Sequence, residues 1–308
     1  MIRERVVLYG AGSPLGRRVM DALSRIPGMQ AIVADRMDSE ALRAAVRDAD
    51  AVINTTMGAP AAISFAAQRL FEVMRTEAPG KRVVHVSSMT IYGNAMGVCN
   101  ETTPPVGPIA KYAAAHVAAE IQARRFAQTV ILRPGCEYGP DCEAWSGRVA
   151  AWLAHRRIGD LGAGGDGYCN LVFIDDLVRA VLAAMRSSTA GGRAFNVAMA
   201  GPPTWNEYLI AFAIALGATP MRRMTRRRWT FETKLWAPPL KVAELTIGRF
   251  PFIARQLPSP IPPSFRRLCA QEIRLDVAAV EEVLGLKWTP LEVGLRAAAA
   301  AYGAAAQR

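Results

Sequence analysis

Tyr112 and His116 stand four positions apart in the stretch YAAAH. On a helix, residues with that spacing share a face, so a phenol and an imidazole would sit together. A phenol titrates near ~10. It exchanges a proton with an alcohol or ketone near neutrality only when a nearby cation and a hydrogen bond to its oxygen favour that exchange. A lysine four places on would be such a cation. Histidine, with its ordinary pKa of ~6.5, gives no steady positive charge at pH 7, although its neutral ring can still donate one hydrogen bond. Lys111, next to Tyr112, points off the shared face and is a poor substitute. Ser88, at the end of VVHVSS, lies 24 positions before Tyr112. A serine on a neighbouring strand can hold the oxygen of a substrate. The plain alternatives are a polar strand-end residue (Ser88), a buried aromatic (Tyr112) and a packed helix residue (His116).

A second chemical signal is GAGSPLG, from Gly10 to Gly16. It lies between an apolar run and an amphipathic one, the context in which glycines let backbone approach a pyrophosphate and a helix N-terminus supplies N–H groups and a positive dipole end. Gly10, Gly12, Ser13, Pro14, Leu15 and Gly16 are therefore candidate cofactor contacts. Pro14 suits a first helical turn. The spacing is neither GxGxxG nor GxxGxxG, and a tight strand-to-helix turn would look similar. On the phosphate-loop reading, a side chain at Gly10 or Gly16 would occupy the place of the pyrophosphate. Asp35 is a candidate for the adenosine ribose or for adenine. Arg36, with Arg17, would favour a 2′-phosphate, so NAD and NADP are both open. Asn54, Thr55 and Thr56 end a later strand that lines the same cofactor.

The elements that must position these groups alternate. RVVLY, QAIVA, DAVINTT, KRVVHVSS and TVILRPG read as strands, with amphipathic helices between them. This predicts an α/β fold: a doubly wound, Rossmann-like parallel sheet. Between Gly16 and Ala51 there is room for one strand and one helix only. TWNEYLIAFAIALG predicts a helix capped by Thr204. The expected division is a nucleotide-binding domain over 1–200, with a substrate-side excursion near 136–168, and a smaller C-terminal substrate-binding region over 201–308. Within the latter, 221–268 mixes arginines, aromatics and prolines. It is expected to be neither a central strand nor one long helix, but a lid or a surface excursion.

The composition, 51% hydrophobic and 20% charged with a net charge of +11, is that of a globular chain. A basic balance points to nucleic acid, a membrane surface, an anionic ligand or only a codon bias rich in arginine. No 18-residue apolar run predicts a transmembrane helix, and the first residues show no signal-peptide pattern. Five cysteines show no metal-ligand spacing, so no metal is expected, and reduced thiols in a cytoplasmic protein are.

Taken in order, VVHVSSMTIYG, YAAAHVAAE, LRPGCEYGPD and NLVFIDDLVRAVLAAM, with the glycine loop and the closing segments, resemble the extended short-chain dehydrogenase/reductases of the NAD-dependent epimerase/dehydratase type. The resemblance covers nearly the whole chain. It implies an NAD(P)-dependent oxidoreductase or epimerase in which Ser88 orients the substrate oxygen, Tyr112 is the acid/base, and His116 replaces the lysine that binds the nicotinamide ribose and lowers the tyrosine pKa. It adds Pro134 to the cofactor contacts. Met89, Thr90, Cys136, Glu137 and Trp145 become candidate substrate contacts; Trp229, Trp236, Phe250 and Phe252 of 221–268 read either as further pocket lining or as ordinary core packing. Nucleotide-sugar members carry an arginine where this chain has Cys169, and the usual histidine is Phe173. This points to a hydroxyl or keto group on a small substrate that is not nucleotide-linked. Dimers are common in the family, so a homodimer is expected. Nucleic-acid binding has no fold-level support. Arg226, Arg227 and Arg228 beside Trp229 read either as a peripheral lipid contact or as a solvated face. Two other functions stay open: a weak dinucleotide-binding relative with a structural or sensing role, and a non-redox enzyme that reuses the pocket.

Overall fold

The computed structural model describes residues 4–35, 37–107, 110–247 and 260–306. Five predicted strands form, and a sixth follows: β1 (Glu4–Tyr9), β2 (Met29–Val33), β3 (Ala51–Asn54), β4 (Arg82–Val86), β5 (Thr129–Pro134) and β6 (Ala194–Val197). They make one sheet in the order β2-β1-β3-β4-β5-β6. Every pairing is parallel, for example Val7 with Ile32 and Val52 with Val83. Crossover helices intervene, including α1 (Pro14–Ser24), α2 (Ser39–Asp48), α3 (Pro60–Glu77), α4 (Lys111–Ala123) and α5 (Ile174–Arg186). The single β–α unit between Gly16 and Ala51 makes β2 an edge strand. The chain reverses its direction of growth between β1 and β3, the place where doubly wound sheets bind ligands beyond the carboxyl ends of their strands.

Burial explains the runs seen in the sequence. β3 and β5 are buried at every residue, as a parallel sheet covered on both faces requires. One apolar layer joins Val7, Val52, Val83 and Ile131 of the sheet to Leu42 and Val46 of α2, Ile63, Leu70 and Met74 of α3, and Ala115, Ala119 and Ala123 of α4. Those alanines let α4 lie close against α3. Caps fix where helices start. Ser13 Oγ accepts from Gly16 N at 2.9 Å with Pro14 in the first turn. Asp38 Oδ1 accepts from Ala41 N at 2.8 Å. Thr204 and Glu207 form a reciprocal capping box.

The chain divides into two compact units. The first comprises 1–135, 172–200 and 275–288 and holds the sheet; the second comprises 136–171, 201–274 and 289–308. The second is built on an aromatic core. Trp205 lies 5.5 Å from Trp145 and 5.2 Å from Phe265, and Trp229 lies 6.1 Å from Phe265.

The segment from 221 departs from expectation. Residues 226–247 are helical throughout, as Arg226–Thr230, a π-turn Phe231–Trp236 and Ala237–Ile247. Pro238 and Pro239 fall directly after the π-turn, at the start of the last piece. Of the two aromatics read as pocket lining or as core packing, Trp229 takes the core, 6% exposed, while Trp236 is 43% exposed at the surface. Phe250 and Phe252 lie outside the described residues, as does part of the expected lid.

Candidate active site and dinucleotide loop

The loop after β1 turns at Gly10, whose φ is +82°. A Cβ there would lie 2.5 Å from Thr55 C and Thr56 N, and a Cβ on Gly16 would lie 2.0 Å from Gly10 O. Both glycines are therefore demanded by the packing of the loop against itself and against the end of β3. This corrects the expectation that a side chain at either position would project toward a pyrophosphate. Gly12 is the exposed glycine, where a Cβ would meet nothing within 4 Å. Asp35 Oδ1 accepts from Gly10 N at 2.5 Å, which ties the end of β2 to the loop. Beside the loop is an open pocket of about 600 Å³, lined by Ala11, Gly12, Arg17, Met20, Val33, Asp35 and Met37. Arg17 Nη1 donates to Gly12 O at 2.7 Å. A carboxylate and a guanidinium thus both reach this pocket, while Arg36 lies outside the described residues.

At the end of β3, Asn54 turns inward. Its Oδ1 accepts from Thr56 N at 3.0 Å and its Nδ2 lies 3.2 Å from His85 Nδ1. Thr55 Oγ1 donates to Tyr9 O at 2.9 Å. Thr56 Oγ1 is buried and has no partner among the described residues. Of this trio, only Thr56 keeps a side-chain polar atom unused. Pro134 is the buried last residue of β5.

Ser88 follows β4 and caps the short 3-10 turn Met89–Tyr92. Its Oγ accepts from Thr90 N at 3.2 Å and from Thr90 Oγ1 at 3.0 Å. With its lone pairs so engaged, its O–H is left to donate. Met89 is buried and Thr90 exposed. On α4, Tyr112 is half-buried, and its hydroxyl is 4.0 Å from Met57 Sδ. The Tyr112 and His116 rings meet edge to face with centroids 4.7 Å apart, so the expected shared helix face is real.

His116 is 0% exposed. Burial pushes its pKa down to about 4, with only a partial opposing pull from Glu120. The ring is neutral at pH 7. Both of its nitrogens are buried and without a partner among the described residues.

One turn further, Glu120 is fully bonded. It accepts from Ser87 Oγ at 2.7 Å and from Arg133 at 3.0 and 2.7 Å. Burial alone would raise its carboxyl, but the hydrogen bonds and charge of Arg133, helped by Ser87 and Arg124, outweigh that and hold it below the usual carboxylate range. Arg133 Nη1 also donates to Tyr92 Oη, which donates to Asn196 Oδ1 at 2.6 Å. Sequence reading assigned no role to Glu120, Arg133 or Tyr92. Their signal was present, since all three stand inside the motifs AAE, LRPG and IYG.

The expected substrate contacts of the second unit do not behave alike. Trp145 is part of the aromatic core. Cys136 is 5% exposed, and its thiol lies against that of Cys169, itself 0% exposed. None of the five cysteines forms a disulfide. Glu137 Oε1 is buried without a partner among the described residues, and burial pushes its carboxyl up to about 7.

The first unit fits a dinucleotide on three counts: the glycine exposed at the loop tip, the pocket holding Asp35 and Arg17, and the orphaned nitrogens of His116. A buried imidazole with neither nitrogen bonded is costly in a finished interior, and ribose hydroxyls can donate to it and accept from it.

Comparison with known proteins agrees. Residues 13–198 match the NAD dependent epimerase/dehydratase family. A UDP-glucose 4-epimerase of Mycolicibacterium smegmatis is 34% identical over 162 residues, which are 49% of this chain and 51% of that one. The chain thus matches about half the length of that relative. The crystal structure of UDP-glucuronic acid 4-epimerase from Bacillus cereus in complex with NAD superposes with a TM-score of 0.72 at 15% identity, covering 98% of this chain and 99% of that one. The structure of RMD from Pseudomonas aeruginosa complexed with NADPH gives 0.69 at 15% identity over the same shares. The likenesses in structure carry the Rossmann-like fold, and the sequence match carries the membership: the chain belongs to the NAD-dependent epimerase/dehydratase family.

Proposed function

We propose that this protein is an NAD(P)-dependent oxidoreductase or epimerase acting at a hydroxyl or keto carbon, with Ser88 and Tyr112 handling the proton and His116 holding the cofactor ribose. The observation that carries this is the arrangement on α4, where Tyr112 and an uncharged, orphaned His116 share one face. The nicotinamide supplies hydride acceptance and donation when bound. The residues supply the rest. Ser88, capped by Thr90, donates its O–H to the substrate oxygen. Tyr112 takes or returns the proton on that oxygen. His116 donates from one ring nitrogen and accepts at the other, in place of a lysine, and adds no charge beside the phenol. Gly12 borders the diphosphate, while Asp35 and Arg17 border the adenosine end. A carboxylate at Asp35 suits the ribose hydroxyls of NAD and a guanidinium at Arg17 suits the 2′-phosphate of NADP, so both nucleotides are to be titrated.

For the substrate, two observations pull apart. The named sugar epimerases above act on UDP-sugars, which favours a nucleotide-linked sugar over the free hydroxy compound suggested by the sequence. Cys169, at the place of the arginine of nucleotide-sugar members, is buried and offers no cation. A nucleotide-sugar in this chain must therefore find its phosphate contacts elsewhere. UDP-sugars are the first panel to assay, and free sugars and hydrophobic alcohols the second.

The test is calorimetric titration with NAD(H) and NADP(H), followed by turnover of wild type and Tyr112→Phe. Wild type is expected to bind at least one of the four nucleotides. Tyr112→Phe is expected to keep that affinity and lose about 10²–10⁴-fold in kcat. Absence of nucleotide binding by wild type, or full activity in Tyr112→Phe, overturns the assignment.

A further inference from the structure

The segment 221–268 carries eleven arginines and lysines against two glutamates, a net +9 of the chain's +11. The rest of the molecule is nearly balanced, so the basic character of the protein is concentrated there. Part of that charge is visible on the described surface of the second unit. Arg222, Arg223, Arg227 and Lys234 are exposed. Glu232, one of the two acids, is withdrawn from it: the carboxylate is buried and paired with Arg157 at 2.7 and 3.1 Å.

The same stretch exposes apolar groups. Phe231 is 47% exposed, Leu235 65%, Trp236 43% and Val242 60%. The inner side of the helical run is already used, since Trp229, Glu232, Thr233, Ala237 and Leu240 are buried. The outer side is set by the π-turn. In such a turn, residues five apart lie over one another, and the Phe231 and Trp236 rings are stacked at 6.0 Å and 15°. From its end onward, Leu235, the exposed Pro238 and Pro239, and Val242 follow at helical spacing on one side. A surface helix that is apolar on both sides has a second face to cover.

We propose that the face formed by Phe231, Leu235, Trp236 and Val242, with Arg222, Arg223, Arg227 and Lys234, docks on a bilayer surface rich in anionic phospholipid. The occupant follows from charge and shape. A row of aromatic and aliphatic side chains on an exposed helix, in a segment with eleven cations and two acids, matches the acyl boundary beneath a layer of negative headgroups, even with Asp160 4.0 Å from Arg223. Phosphates of a nucleic acid would answer the cations but would leave Leu235 and Val242 without an apolar partner. No described helix is long and apolar enough to cross a membrane, so contact is at the surface. This inference is independent of the proposed reaction.

The experiment is co-sedimentation of the full chain with phosphatidylcholine vesicles, with and without one third phosphatidylglycerol, at low and high salt. Binding to the anionic vesicles is expected to exceed binding to the neutral ones at least tenfold and to weaken with salt. Leu235→Glu with Trp236→Glu should abolish it. Arg222→Glu with Arg223→Glu should lower it by about fivefold or more per charge. These side chains are exposed, so the melting temperature and nucleotide titration of the variants should match wild type; Val242→Glu provides a single milder change. Equal binding to both vesicle types, or none, overturns the proposal. So does a dimer seen by light scattering that Leu235→Glu dissociates, which would make a second copy the occupant. Stronger binding to a mixed-sequence oligonucleotide than to the vesicles would overturn it as well.

Discussion

Two residues one turn apart on α4 are treated in opposite ways. Glu120 is buried and has every visible need met, by Ser87, by both arms of Arg133 and by Arg124. His116 is buried as deeply and has nothing at either nitrogen among the described residues. Satisfied buried charge fixes strands and helices to one another. An orphaned ring in the same interior leaves a donor and an acceptor unanswered, which costs stability. The contrast separates a part of the helix whose buried polar atoms are all answered from a part whose are not.

The largest break in that contrast is Arg133→Met. It leaves the Glu120 carboxylate buried without its main partner and should cost about 3–5 kcal/mol, read as a denaturation free energy. Replacing both, with Glu120→Leu and Arg133→Met together, should recover much of the loss. A cost near zero for Arg133→Met would mean that the cluster is not structural.

Acid gives the next effect. His116 and His85 are both pushed from about 6.5 to about 4, chiefly by burial. The folded state thus binds fewer protons than the unfolded one between those values. Their contribution is complete above the unfolded pKa and is lost as pH falls through 6.5 toward 4, by about 3 kcal/mol for each. Glu120 also has a depressed pKa, and its contribution is lost lower, as pH falls below the ordinary carboxylate range. Urea titrations across this span should show two stages, and His116→Leu should remove about half of the upper one, leaving the share of His85 and the lower stage unchanged.

The third effect is smaller. His116→Leu removes an orphaned donor and acceptor, so the free protein should be no less stable. Nucleotide affinity should fall about three- to tenfold, the worth of one or two hydrogen bonds. Unchanged affinity would make His116 a bystander. The smallest effect belongs to Gly12→Ala, which should move stability by less than about 0.5 kcal/mol and act, if at all, on nucleotide titration.

The alternation of β1 to β5 with their helices was legible because buried parallel strands are written as apolar runs and crossover helices as amphipathic ones. Thr204 announced its own cap, and the structure adds Glu207 to it. The shared face of Tyr112 and His116 followed from spacing alone. What pattern could not give was which partner a buried group finds. Nothing local says that Glu120 meets Arg133 thirteen residues on and Ser87 thirty-three back. The glycine loop was readable as a loop, but the reason for Gly10 lies in Thr55, on another strand. The run from 226 was misjudged because its inner and outer faces are both apolar, and because a π-turn shifts the register that helical periodicity assumes.

Asn196 carries a consequence for how the molecule is made. Its side chain accepts from Tyr92 and donates to the carbonyls of Cys99 and Asp276, at 3.0 and 3.1 Å for the last two, while its backbone N–H meets Glu101. These partners are separated from it by 104, 97, 80 and 95 residues along the chain. Closing such distant contacts is slow, and synthesis delivers residue 276 only after everything else in the set. A nascent chain therefore owns its glycine loop, Tyr112 and His116 long before Asn196 can be clamped from both sides. Native-state assembly of the first unit has to wait for a peptide that follows 201–274, a long stretch belonging to the second.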